Sequence, residues 1–314
     1  KVAEWIFYCL GQAYSATQFK ALCDTAAPHQ KDNPYFLASH SFALELTGHY
    51  PAAMAKAEQA MNLEPVSPWA HHTIAHCLLL NGQMHQGIEF LQSVSATWET
   101  IMPLLKGHNN WHLALFYLAN RDEKQVLKRF KHGILGLIPG TVLEQIDAIS
   151  LLWRLEMAGF PQKQQLQHIR AQLDHHPYEY YTGFNAVHLM YCLARANDDR
   201  LTDDALHQMQ HYIQQLPTGA KQHYWQSLCL PFCKATAAFA KHDYKSAIDY
   251  LNPIIHQCFK LGGSDAQDEL FLQMYFVSLM RSKQQNHAKD FFNQYLKHYH
   301  NTHLGDYWFT GIRR

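Results

Sequence analysis

A glycine that recurs after 34 residues restricts the fold of this 314-residue chain more than any other feature of its sequence. Gly48 and Gly82 hold the same place in two consecutive segments, and Gly87 stands in the second segment where Ala53 stands in the first. A glycine lets a helix end in a tight turn, and small residues let two helices approach closely. A repeat of this length and pattern is typical of stacked two-helix units.

The rest of the sequence continues this pattern of paired helices. Apolar residues recur there at intervals of three and four, which is the helical period, and no segment alternates as a strand would. We predict helices over 108–120, 122–135, 142–157, 162–175, 184–196, 203–215, 232–241, 245–260, 265–282 and 287–299. The predicted fold class is all-α, a right-handed α-solenoid of about six or seven helical hairpins. We expect one domain, 1–314, with its clearest repeats in 34–101 and C-terminal repeats in 228–300.

The charge balance excludes two classes of partner. Lys and Arg together number 26, and Asp and Glu also number 26, so the formal net charge is zero. A nucleic-acid binder or a polybasic membrane site would carry an excess of positive charge. No run approaches the roughly 20 apolar residues of a membrane span, and the first residues lack the features of a secretory signal. We therefore expect neither nucleic acid nor membrane as a partner. Because the sequence opens on Lys1, we expect an upstream segment to have been removed.

The cysteines predict a reducing compartment. They number seven, which is odd, and no Cys-x-x-Cys occurs, so we expect neither a disulfide framework nor a zinc ribbon. Cys229 and Cys233 would share one face of a helix as buried thiols. The expected localisation is cytoplasmic.

Twenty-three histidines are the unusual part of the composition, and two pairs of them have a chemical spacing. His72 and His76 are four residues apart, as are His108 and His112, so each pair lies on one helix face. Both pairs fall on first helices of their repeats, which we expect to line a concave groove. Four imidazoles brought together would suit zinc or another transition metal as cofactor. The alternative is a hydrogen-bonded polar cluster without metal. The similar pair His207 and His211 is expected on a solvent face.

Three further residues are candidates for the same groove. Asp147 stands alone between apolar neighbours, and a lone buried carboxylate needs a partner such as a histidine. It could also orient a ligating imidazole. His188 lies on a third predicted helix. Glu45 is expected near the concave side as a solvated acid.

Motifs over nearly the whole chain, in order, resemble the tetratricopeptide repeat protein 38 family. The segments that carry the resemblance are 41–45, 69–76, 108–115, 147–155, 184–188, 230–233 and 261–267. The resemblance implies an all-helical protein of tetratricopeptide type, with a further helical region upstream. It also implies one pocket formed by His72, His76, His108, His112, Asp147 and His188. Three positions depart from the family pattern, which has acids where this chain has Leu79, Lys131 and Ala186.

Two functions from different classes follow from these observations. The first is a scaffold that binds a peptide or protein partner through its concave groove. The second is a metal-dependent or acid–base enzyme that acts on a small molecule at the histidine and aspartate cluster. The three missing acids favour the first, because an enzyme that used them as ligands or bases would be impaired. A purely structural scaffold is the third alternative.

Overall fold

All regular secondary structure in the computed structural model, which describes residues 12–173 and 182–312, is helical. The predicted all-α class is confirmed. The seventeen α-helices of the described residues are α1 Gln12–Ala26, α2 Pro34–Glu45, α3 Tyr50–Leu63, α4 Pro68–Leu80, α5 Met84–Val94, α6 Pro103–Ala119, α7 Glu123–Arg129, α8 Val142–Met157, α9 Lys163–Gln172, α10 Gly183–Arg195, α11 Asp199–Gln215, α12 Ala220–Tyr224, α13 Leu230–Ala240, α14 Tyr244–Leu251, α15 Asp265–Arg281, α16 Gln285–Tyr295 and α17 His303–Thr310. Among these residues no helix combines the length and apolar character that a membrane span requires.

The predicted helices differ from the observed ones mainly at their ends. The segment predicted over 122–135 forms α7 and then a π-helical turn, Phe130–Ile134. The segment predicted over 245–260 ends early at Leu251 and continues as the 3-10 helix Ile255–Lys260. The end of the helix predicted over 162–175 lies outside the described residues.

The chain divides into two compact units. The first contains Lys1–Asp147 with Ser264–Ala266 and Asn301–Leu304. The second contains Ala148–Gly263, Gln267–His300 and Gly305–Arg314. The prediction of one domain over 1–314 stays a prediction.

One backbone geometry closes seven helical hairpins among the described residues. At each turn one residue has a positive φ, its N–H donates to the carbonyl three residues back, and the next N–H donates to the carbonyl five residues back. This is the Schellman arrangement, which satisfies carbonyls at the end of a helix. The seven residues are Gly48, Gly82, Arg121, Gly159, Asn197, His242 and Lys283. The turn that the sequence reveals at two glycines therefore recurs at five further positions.

Small residues let neighbouring helices of the first unit approach closely. Ala53, Ala57 and Ala60 are completely buried along one face of α3. Gly87 on α5 packs directly against the ring of Phe116 on α6, where any side chain would collide with it. These contacts fix how closely the helices of the first unit approach.

The first helices of the hairpins in the first unit lie deep in the protein. On α4 every residue from Ala70 to Leu79 is buried, and on α6 every residue from Asn109 to Ala119 is buried. The second helix α3 buries only its alanine face. A helix that is buried all round belongs to a core. Polar residues within these two buried stretches are therefore held away from water.

Candidate metal centre

Four imidazoles meet between α4 and α6 in the first unit. One ring nitrogen from each of His72, His76, His108 and His112 lies within 4.8 Å of the other three. The rings of His72 and His76 are one helical turn apart, with centroids separated by 4.4 Å. The rings of His108 and His112 repeat this at 4.7 Å. Pairs that are 36 residues apart in sequence thus form one histidine cluster, as the repeat pattern indicates.

Two of the four nitrogens already have the separation that a metal would impose. Nε2 of His76 lies 3.2 Å from Nε2 of His112. A tetrahedral ion bound at 2.0–2.1 Å would hold two nitrogen ligands roughly 3.3 Å apart. Without a metal, one of these two nitrogens donates a proton to the other. The remaining distances would have to shorten for all four nitrogens to bind one ion.

A carboxylate fixes the orientation of His76 from behind. Nδ1 of His76 donates to Oε1 of Glu45 on α2 at 3.0 Å, and both side chains are completely buried. Because Nδ1 carries this proton, Nε2 of His76 presents its lone pair to the cluster. The expectation that Glu45 is a solvated groove acid is wrong. The apolar residues around Glu45 on α2 bury it, and the histidine supplies the partner that burial demands.

A second carboxylate fixes His108 in the same way. Nδ1 of His108 donates to Oδ2 of Asp147 on α8 at 2.9 Å. The prediction that Asp147 pairs with a histidine is confirmed. This pair is less buried than the first, since 19% of the His108 side chain and 14% of the Asp147 side chain are exposed.

His72 is held in its neutral form. Burial, and then the nearness of His76 and His108, hold the pKa of His72 well below its ordinary 6.5. The neutral ring packs against Phe42 and Trp69, with centroids 5.0 and 5.4 Å away. Its Nδ1 is buried and has no hydrogen-bond partner among the described residues. A neutral imidazole with an unsatisfied nitrogen is the form of histidine that binds a metal.

The neighbouring His71 shows what a structural histidine looks like on the same helix. Its Nε2 donates to the carbonyl of Pro65 at 3.1 Å, and its Nδ1 accepts from the indole of Trp98 at 3.1 Å. Burial lowers the pKa of His71 to about 4, so it remains neutral. Both of its ring nitrogens make hydrogen bonds within the protein, so neither is available to bind a metal.

His188 lies in the second unit, on α10. Its Nδ1 donates to the carbonyl of Phe184 at 2.8 Å, and its ring packs among aromatic residues that include Trp153 and Phe271. Burial lowers the pKa of His188 to about 3. That His188 shares a pocket with the four clustered histidines stays a prediction.

The structure also bears on the predictions made for the exposed histidine pair, the cysteines and the departures from the family pattern. His207 and His211 are exposed, as expected. The described cysteines are free and buried, whereas Cys9 lies outside the described residues. Leu79, where the family pattern has an acid, is completely buried, and Lys131 is exposed. Neither departure removes a member of the histidine cluster.

No protein-family model matches the chain, and no solved structure matches it.

Proposed function

We propose that the chain binds one transition-metal ion, such as zinc, through His72, His76, His108 and His112. The observation that supports this most is the convergence of four imidazole nitrogens within 4.8 Å at a place shielded from water. A packing role does not require them to converge, as the fully bonded His71 shows on the same helix.

The two carboxylates behind the rings strengthen the proposal. Histidines that bind metals commonly donate their second N–H to a carboxylate, which fixes the tautomer and makes the ligand more basic. Glu45 and Asp147 make that contact with His76 and His108. Their two negative charges would also offset the charge of a divalent ion, which four neutral imidazoles leave uncompensated.

The donor set selects the kind of metal. Imidazole nitrogen suits zinc, copper, iron, cobalt and nickel, whereas calcium and magnesium prefer oxygen ligands. We therefore propose a transition metal and not an alkaline-earth ion.

Metal analysis of protein purified without a histidine tag tests the proposal. We expect about one equivalent of metal per chain, and loss of that metal in the double variant His76→Ala/His112→Ala with the helical circular-dichroism signal kept. The matched control is His207→Ala/His211→Ala, an exposed pair with the same spacing, which should retain the metal. A wild-type protein that takes up no zinc or cobalt when these are supplied would overturn the proposal.

We also propose an α-solenoid architecture for the chain and a role in binding a peptide or protein partner. The recurrent Schellman turn supports a right-handed stack of hairpins of the tetratricopeptide repeat protein 38 type. The free, buried cysteines of the described residues support a location in the reducing cytoplasm. Leu22 and Tyr35 in the first unit are 55% and 70% exposed, so their side chains would be available to a peptide or protein partner. Its test is retention of one defined protein by the wild type and not by Leu22→Ser/Tyr35→Ser.

A further inference from the structure

This inference rests on the proposed metal centre and concerns its chemistry. We propose that His72, His76 and His112 hold the ion, and that His108 occupies a displaceable fourth position where water or a small anion binds instead. A zinc ion with three protein ligands and one exchangeable ligand is a reactive centre, whereas four permanent ligands make a structural one.

Burial separates His108 from the other three histidines. His72 is 2% exposed, and His76 and His112 are not exposed at all. The side chain of His108 is 19% exposed, and that of its partner Asp147 is 14% exposed. An incoming solvent species would therefore meet the cluster at His108 first.

The closest approach between ring nitrogens also lies among the other three histidines. The rings of His72, His76 and His112 form a triangle in which the centroid distances are 4.4, 4.6 and 4.8 Å. This triangle also contains the short 3.2 Å separation between two Nε2 atoms. His108 lies at its edge, 5.1 Å from His72 and 4.7 Å from His112.

His108 also has a stable place to rest when it does not bind the ion. Its ring is stacked on the indole of Trp111, with an interplanar angle of 9° and a centroid distance of 5.3 Å. Its Nδ1 is held by Asp147. Stacking and the hydrogen bond together support the side chain beside the triangle, so that leaving the ion does not leave the ring without contacts.

The chemistry of the vacated position identifies the ligand class. The three imidazoles add no charge to the ion, and the carboxylates of Glu45 and Asp147 lie behind the rings of His76 and His108 and do not occupy the open position. The ion therefore still attracts a negative ligand there, in surroundings of low dielectric constant. Azide, thiocyanate and the carboxylate of a small molecule are ligands of that class. Water would take the position when no anion is present.

Cobalt-loaded protein tests the assignment, because cobalt(II) changes its visible spectrum when its ligands change. We expect azide to shift the spectrum of the loaded wild type. The variant His108→Ala should keep one cobalt per chain, with affinity reduced by no more than about 100-fold, the range of losses when a supporting residue is removed. It should also bind azide more tightly, since no histidine competes. His112→Ala should lose cobalt altogether, and His207→Ala should resemble the wild type.

The outcomes separate this inference from the proposed function. A wild type that binds no cobalt contradicts the metal centre itself. A wild type that binds cobalt but whose spectrum does not respond even to a large excess of azide contradicts the open position and leaves the metal centre standing. Equal loss of cobalt from His108→Ala and His112→Ala also shows a closed site with four required ligands. The azide titration needs no variant, so it decides the question even where His112→Ala fails to fold.

Discussion

Each unit of the protein buries a glutamate beside a histidine, and the two glutamates differ in how completely they are bonded. In the first unit Glu45 bonds to His76 through Oε1, and its Oε2 has no hydrogen-bond partner among the described residues. In the second unit Glu269 uses both oxygens. Its Oε1 accepts from Gln273 at 2.6 Å and from Tyr299 at 2.8 Å, and its Oε2 accepts from His298 at 2.6 Å.

The two glutamates show how a structural polar cluster differs from a binding site. The bonds to Glu269 are completed within its own unit, which is how a buried network contributes to folding. The histidine cluster of the first unit instead directs four ring nitrogens at one another, and this convergence sets it apart. Nδ1 of His72 is left unsatisfied there, but so is Nε2 of His188 in the second unit, which has no such cluster around it. An unsatisfied buried group costs stability, and a ligand that satisfies it would return that stability on binding.

The largest effect is expected from breaking the complete network. Glu269→Ala should lower the free energy of unfolding by about 3–5 kcal/mol, since it leaves His298 and two further donors without their acceptor. Urea unfolding followed by circular dichroism measures this. Metal content should stay unchanged, because Glu269 lies outside the cluster. A loss below about 1 kcal/mol would show that the network contributes little and that the contrast between the two glutamates is unfounded.

The corresponding change in the first unit should affect binding more than folding. Glu45→Gln keeps the size of the side chain but removes the charge that orients His76, so metal affinity should fall by about 10- to 100-fold. Competition with a chromophoric chelator measures the affinity. Glu45→Asp, which restores the charge, should recover part of it. An unchanged affinity in Glu45→Gln would place Glu45 with Glu269, as a group that serves only the fold.

Mild acid should distinguish two buried neutral histidines from Glu269. Burial lowers the pKa of His188 to about 3, and the pKa of His71 to about 4, from 6.5 in the unfolded chain. The unfolded chain therefore takes up their protons first, and stability falls as the pH drops below 6.5. Each of the two should cost up to about 1.4 kcal/mol per pH unit until its folded pKa is reached.

Urea unfolding at pH 6 and pH 5 measures this loss of stability, and a variant without His188 shows how much of it His188 contributes. Burial would by itself raise the pKa of Glu269, but the charge and hydrogen bond of His298 lower it below 4.5, so Glu269 loses its contribution only in stronger acid. His188→Asn should reduce the loss between pH 6 and pH 5 by about 1.2 kcal/mol, because the unfolded chain is already partly protonated at pH 6. The exposed His207→Asn serves as the control. An unaltered pH dependence in His188→Asn would mean that His188 takes up its proton in the folded protein as readily as in the unfolded chain.

Sequence predicted the parts of this structure that depend on local spacing. The helical period gave the helix class, and α8 begins and ends where predicted, at Val142 and Met157. The four-residue spacing placed His72 with His76 and His108 with His112. Bringing the two pairs together required only that consecutive hairpins stack.

What the sequence could not show depends on long-range contacts or on unusual backbone geometry. Glu45 could have been found by the argument used for Asp147, since it too is an acid among apolar residues. Glu269 and His298 are 29 residues apart and have no signature of their own. Arg121 and Lys283 adopt the turn conformation that glycine signals at Gly82, so their turns carry no glycine to mark them.

Substitutions at two equivalent turns, one with lysine and one with glycine, test that last comparison and should have the smallest effects. Lys283 is exposed and has φ 61°, a conformation that costs a residue with a side chain roughly 1–2 kcal/mol. Lys283→Gly removes this strain but makes the unfolded chain more flexible, which offsets about 0.4–1 kcal/mol. The net result should be a stabilisation of about 0.5 kcal/mol in urea unfolding. Gly82→Ala, with φ 72° at the equivalent turn, should destabilise the protein by about 1 kcal/mol or more. If both variants shift stability in the same direction, the two turns do not share one geometry in solution.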